Sequence, residues 1–141
     1  MGSGCGDYES LSRLVERMAG PYAGQGFGPT GAWSPPTDVF ETATGVIVKM
    51  ELPGVRSEDL SIVLLDDRLF VRGCRKDPDA GVKLRYHQME IAYGGFVKVV
   101  TIRMRYDREG IRATLTDGFL SLLIPRAEKP AAGRVAVEIR L

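Results

Sequence analysis

The chain contains no asparagine, one histidine, one tryptophan and two cysteines. Each scarcity removes a class of chemistry. A metal centre or a Ser-His-Asp device needs several convergent partners, and His87 among scattered carboxylates does not supply them. Cys5 and Cys74 stand far apart and do not make a disulfide framework. No apolar run approaches the ~20 residues of a spanning helix, so no membrane partner is expected. The N-terminus lacks the basic-then-apolar order of a secretory signal, and a cytoplasmic location is the expectation. Charge of one sign is also missing: 19 basic residues are interspersed with 18 acidic ones, for a net charge of +1. That balance argues against a nucleic-acid surface or an anionic membrane. There is no phosphate loop of the Walker type, so ATP use is not expected. The absent asparagine and the excess of Arg over Lys fit either a GC-rich genome or heat adaptation, and the two stay open.

What remains suits one domain with extensions. The 141 residues are 44% hydrophobic, enough to build a core. Residues 1–32 form an N-terminal arm. Tyr8, Leu11, Leu14, Val15 and Met18 recur at three- and four-residue spacing, one apolar face of a short helix over about 8–19. Gly20-Pro21 stops it. So short a helix needs a partner surface, because it is marginal alone in water. A Gly-rich linker with Tyr22 and Phe27 follows.

In residues 33–126 the apolar period switches to two. Val46, Val48 and Met50 alternate with Ile47, Lys49 and Glu51. Residues 60–65 are almost continuously apolar, as in a strand covered on both faces. Residues 69–71 follow the Asp66-Asp67 turn and complete a hairpin. Further strands are expected over 96–104, 111–115 and 119–124, with Asp117-Gly118 as a tight turn between the last two. Residues 57–59 make at most one turn of helix. Many short antiparallel strands with no long helix predict an all-β, immunoglobulin-like β-sandwich. The stretch from Cys74 to Gly95 would be long for a structureless loop. Residues 83–91 read as an isolated strand, with Leu84 and Tyr86 on one side and His87, Met89 and Ile91 on the other. Such an arm on a long hinge suits pairing with a neighbouring chain. Residues 127–141 are a polar tether ending in spaced aliphatics.

Several motifs yield to plain readings. Gly26-Phe-Gly28-Pro-Thr-Gly31 matches the dinucleotide fingerprint in letters. With no strand before it and no helix after it, nothing would hold a pyrophosphate, and it is read as linker. His87 is read as a strand residue of the isolated arm. Glu58-Asp59 and Asp66-Asp67 are read as solvated turn residues. Cys74 shares a strand face with Phe70 and Arg72 and is read as an exposed, inert thiol. The strands 60–65 and 119–124 admit two readings. Alternation assigns half their apolar side chains to a core. The other half need a cover: the tail, another subunit or a bound protein.

One ordered set of motifs runs through the chain: Trp33-Ser-Pro-Pro-Thr-Asp38-Val-Phe-Glu41, Glu51-Leu-Pro-Gly-Val55, Glu58-Asp-Leu60, Leu69-Phe-Val-Arg-Gly73 and Tyr93-Gly-Gly-Phe96. This series resembles the α-crystallin domain of small heat-shock proteins, bacterial and plant type, over about residues 33–141. The lack of a proline near 104 is a departure. The resemblance implies an ATP-independent holdase, neither an enzyme nor dependent on a cofactor or metal, whose partners are itself and unfolding proteins. It implies that the strand with Leu84, Tyr86, His87, Met89 and Ile91 completes a dimer partner's sheet. Val135-Ala-Val137 resembles the family's Ile-x-Ile tail motif. The pairs Val137/Ile139 and Ile139/Leu141 compete with it. The expected receptor is a groove of Leu60, Ile62 and Leu64 with Leu120, Leu122 and Ile124. The arm, with Tyr8, Leu11, Leu14, Val15 and Met18, is the expected client-binding element. The competing class is a co-chaperone or interaction module of the same fold without holdase activity.

Overall fold

The computed structural model describes residues 33–128 and 136–141. The strands are β1 (Thr37–Glu41), β2 (Gly45–Glu51), β3 (Leu60–Leu65), β4 (Arg68–Arg75), β5 (Gly94–Thr101), β6 (Arg112–Thr116), β7 (Phe119–Pro125) and β8 (Val137–Ile139). One 3-10 turn, Ser57–Asp59, precedes β3. The strands form two four-stranded sheets, in the orders β1-β2-β7-β6 and β5-β4-β3-β8. All their pairings are antiparallel. The predicted β-sandwich is what forms.

The period-two pattern sets which side chains face inward. Val46, Val48 and Met50 of β2 are buried, and Leu120, Leu122 and Ile124 of β7 lie opposite them in register. The second sheet meets them with Ile62, Leu64, Leu69, Val71, Phe96 and Val100. Each such side chain contributes about 1.5–3 kcal/mol on removal from water, so this layer dominates the fold. Two positions demand glycine. At Gly73 an added Cβ would fall 2.6 Å from the Phe96 ring, so the core ring fits only where that carbon is missing. Gly118, at φ +80°, follows Asp117 at φ 53° in the two-residue β6–β7 turn; both left-handed values suit the expected Asp-Gly turn.

Three boundaries depart from the sequence reading. β1 was not anticipated as a strand. It is an edge with four of five residues exposed, so it carries no inside-outside alternation. β5 ends at Thr101, earlier than expected, because the Ile102 amide turns to the Asp67 carbonyl (2.6 Å) instead of a ladder partner. Residues 83–91 form no strand within one chain, because no edge of the same chain lies alongside them.

Candidate interaction surfaces

The tail meets the sandwich at β3. β8 adds to β3 with Ile62 opposite Ile139 and Leu64 opposite Val137. Ile139 is buried in the core cluster and Val137 packs against it, while Glu138 points outward and Leu141 stays exposed. Side chains at i and i+2 share a face, so one aliphatic pair seals the open end of the sandwich while the backbone closes the β3 edge. The register is therefore 137/139. Val135, offered as the first anchor, lies outside the described residues. Ile62 and Leu64 do pair with the tail strand, and Leu60 lies beside that pairing at the start of β3. Leu120, Leu122 and Ile124 do not form a groove wall: they sit fully buried on β7, an inner strand of the other sheet.

The second surface is the long connection between β4 and β5. Val82, Leu84, Tyr86, Met89 and Ile91 are all exposed along it, as is His87. Five large apolar side chains in water within ten residues make an unpartnered surface of the kind monomers avoid. The connection is not loose at its base. Arg75 donates from Nε (2.8 Å) and Nη2 (2.6 Å) to the Ala92 carbonyl, and from Nη1 to the Pro53 carbonyl (3.1 Å). Its guanidinium lies 4.1 Å over the Trp33 ring. Trp33 in turn donates from Nε1 to the Gly94 carbonyl (3.0 Å) and packs edge-on against Phe96 (5.1 Å). One planar cation thus ties the end of β4, the return of the connection and the turn at Pro53. Beside it lies a cleft of about 910 Å³ lined by Trp33, Pro53, Arg75, Ile91 and Tyr93 among others.

Inside the connection, Lys83 hydrogen-bonds Asp77, reaches the Tyr86 hydroxyl (3.0 Å) and lies 5.0 Å from the ring centres of Tyr86 and Tyr93. The Lys83 bond, then the Asp79 amide, hold the Asp77 carboxyl below its usual 3.8. The same bond from Asp77 raises Lys83 above 10.5, with the Tyr86 hydroxyl as the second cause.

The profile of the Hsp20/alpha crystallin family matches residues 38–140. The chain belongs to that family. As a small heat-shock protein it is 31% identical over 106 residues to Spore protein SP21 of Stigmatella aurantiaca, covering 75% of this chain and 63% of that relative. The chain thus spans less than two thirds of SP21. Heat shock protein 16 of Schizosaccharomyces pombe is 31% identical over 103 residues, covering 70% of this chain and 71% of the relative. The solved structure of heat shock protein 16.0 from the same yeast superposes with a TM-score of 0.63 at 28% identity, covering 73% of this chain and 96% of that one. The hspA structure from Xanthomonas axonopodis gives 0.62 at 28%, covering 71% and 98%.

Within this small heat-shock protein the other singled-out residues fall as follows. Of the turn carboxylates, Glu58 and Asp67 are exposed as read, whereas Asp59 and Asp66 are half-buried, and Asp59 pairs with Lys76 at 3.2 Å. Among the described residues no group of His, Cys, Asp and Glu could hold a metal, and no helix is long and apolar enough to cross a membrane. Cys74 requires a correction. It is buried and disulfide-bonded, not an exposed thiol. Its face of β4 is covered, which alternation alone does not reveal. The arm residues Tyr8, Leu11, Leu14, Val15 and Met18, and the Gly26–Gly31 motif, lie outside the described residues. Sequence reasoning missed Arg75; its only signal was a basic residue at a strand end, followed by Lys76.

Proposed function

We propose that this protein is an ATP-independent holdase that works as a dimer-based oligomer and keeps partly unfolded proteins from aggregating. The observation that carries the reading is the exposed apolar run from Val82 to Ile91, held at its base by Arg75. Such a run costs solubility unless a second subunit covers it. Pairing with a neighbour's open edge removes that cost, because the ladder hydrogen bonds and the apolar side chains are satisfied together. Among the open edges, β1 suits it best, since β1 displays Val39 and Phe40 to solvent. Leu84, Tyr86, His87, Met89 and Ile91 are the residues that would dock.

The tail supplies the second contact. The pairing of Val137 and Ile139 with β3 leaves the same contacts free to form between subunits, because residues 127–136 are long enough to reach elsewhere. Exchange of the tail would then join dimers into larger particles. Clients would be held by apolar surface that the oligomer covers at rest, with the arm residues Tyr8, Leu11, Leu14, Val15 and Met18 as the main contacts. Mass action on the unfolded state suffices for such capture, without nucleotide.

The test is light scattering from a heat-labile enzyme warmed with the purified protein and no ATP. Suppression near equal mass is the expected result. No suppression at any temperature below the protein's own melting point would replace the holdase reading with that of a docking module.

A further inference from the structure

β1 and the β4–β5 connection carry opposite charges that find no partner within the chain. β1 exposes Asp38 and Glu41 along with Val39 and Phe40. The connection exposes Arg85 and Gln88 among its apolar side chains. Among the described residues Asp38, Glu41 and Arg85 enter no ion pair. Lys49, opposite Asp38, turns instead to the Phe119 ring (5.7 Å). Lys83 is already taken, because Asp77 and the Tyr86 hydroxyl hold it. The pleat sorts the two faces of β1. Val39 and Glu41 lie opposite buried Val48 and Val46, on the core side of the sheet. Asp38 and Phe40 lie opposite Lys49 and Ile47, on the outer side.

We propose that β1 of a second copy receives residues 85–89 in one antiparallel register, with Arg85 opposite Glu41, Tyr86 opposite Phe40 and Gln88 opposite Asp38, so that charge selects which chains pair. The proposal rests on the dimer of the holdase reading and adds its register and its selectivity. Antiparallel addition continues the pairing used throughout the sandwich. Each acid then meets a donor. Gln88 already donates to Glu90. The second N–H of its amide is left for Asp38. Tyr86 and Phe40 form an aromatic pair on the outer face, while Met89 falls on the face of Val39.

Neighbouring registers are worse. A slip of two residues one way sets Glu90 directly against Asp38, two like charges. The same slip the other way sets Arg85 against Val39 and leaves Glu41 to Lys83, which Asp77 holds. A slip of one turns every side chain to the other face and sets Leu84 against Glu41, or Met89 against Asp38. In a two-fold dimer each chain gives its connection and receives the other's, so the Arg85–Glu41 contact occurs twice. An exposed pair of this kind adds little affinity, but its like-charged counterpart repels. Rejection is therefore the larger effect. The edge fits a copy of this chain and excludes a subunit with basic residues at 38 and 41.

The test uses full-length chains, analytical ultracentrifugation and native mass spectrometry. Glu41→Arg and Arg85→Glu should each weaken the homodimer about tenfold, since each repulsion occurs twice. Mixed one to one, the two variants should form mixed dimers near wild-type affinity, because every interface then again holds one Arg and one Glu. Recovery on mixing also shows that both variants are folded. At about 1 M salt the differences should shrink. Asp38→Arg mixed with Arg85→Glu should stay weaker than that pair, since Glu41 still faces the introduced Glu at 85. Full recovery by Asp38→Arg instead would overturn the register. Wild-type dimers whose variants associate equally well, or melt like wild type yet fail to recover on mixing, would overturn the charge selection and leave the dimer intact. A wild-type chain that is monomeric at every concentration would overturn the dimer itself and this inference with it.

Discussion

Two segments of this protein carry spaced apolar side chains outside the sandwich, and they meet opposite fates. Residues 137–139 lie down on β3 and bury Ile139. Residues 82–91 stay in water with Leu84, Met89 and Ile91 exposed. Their intrinsic patterns are alike, so pattern does not explain the difference. Access to an edge does. The tail reaches the open side of β3. The connection is tied at both ends, to β4 and β5, and Arg75 pins its return at Ala92. An apolar run that reaches no edge of its own chain stays exposed.

The largest expected effect breaks the comparison at its exposed side. Excising residues 82–92 should turn dimers into monomers by analytical ultracentrifugation, with little change in melting temperature, because these side chains bury nothing within the chain. An unchanged mass would mean that subunits pair by another edge. Next, Ile139→Ala should cost about 2 kcal/mol in urea unfolding, the low end for a buried isoleucine at the rim of a core. Leu141→Ala should cost almost nothing, since Leu141 is exposed. Equal losses at both positions would undo the 137/139 register.

Arg75→Ala should loosen the base of the connection without unfolding the sandwich. Loss of one bidentate contact to Ala92 and a bond to Pro53 should weaken the dimer about tenfold, roughly 1.4 kcal/mol. Dimer dissociation followed by dilution would read this, and Lys in place of Arg should restore only part, since it cannot donate as a planar fork. The smallest effect concerns pH. Asp77 has a depressed carboxyl, so the order it lends the connection is complete above its usual 3.8 and fades as pH falls below it. Lys83 is raised above 10.5, so its share is lost only in strong alkali. Hydrogen exchange over residues 77–86 should therefore be level across neutral pH and quicken only below pH 3.8, after correction for intrinsic exchange. Asp77→Asn should abolish that step.

How much was legible follows from the kind of signal each element carries. β2, β3 and β7 pack on a core, and alternation marks them: Val46, Val48 and Met50 announce their face. β1 went unread because an exposed edge strand has no buried face to write into its residues. The tail register was undecidable because 135/137, 137/139 and 139/141 share one spacing. The pairing of Val137 with Leu64 and the exposure of Leu141 separate the last two, and Val135 lies beyond what is described. The groove was half legible. Leu60, Ile62 and Leu64 were rightly placed near the tail, but Leu120, Leu122 and Ile124 belong to an inner strand, a fact of strand order that periodicity does not contain.

By itself the sequence determined the sandwich, its turns and its family, because local periodicity and left-handed turn residues act over a few positions. It also marked the apolar side chains at 83–91 and in the tail as ones expected to need partners. Tertiary structure alone decided which edge the tail takes, that Arg75 clamps the connection, and that Cys74 is covered. Those outcomes depend on which strands become neighbours, and neighbours distant in sequence are chosen by closure of the whole core.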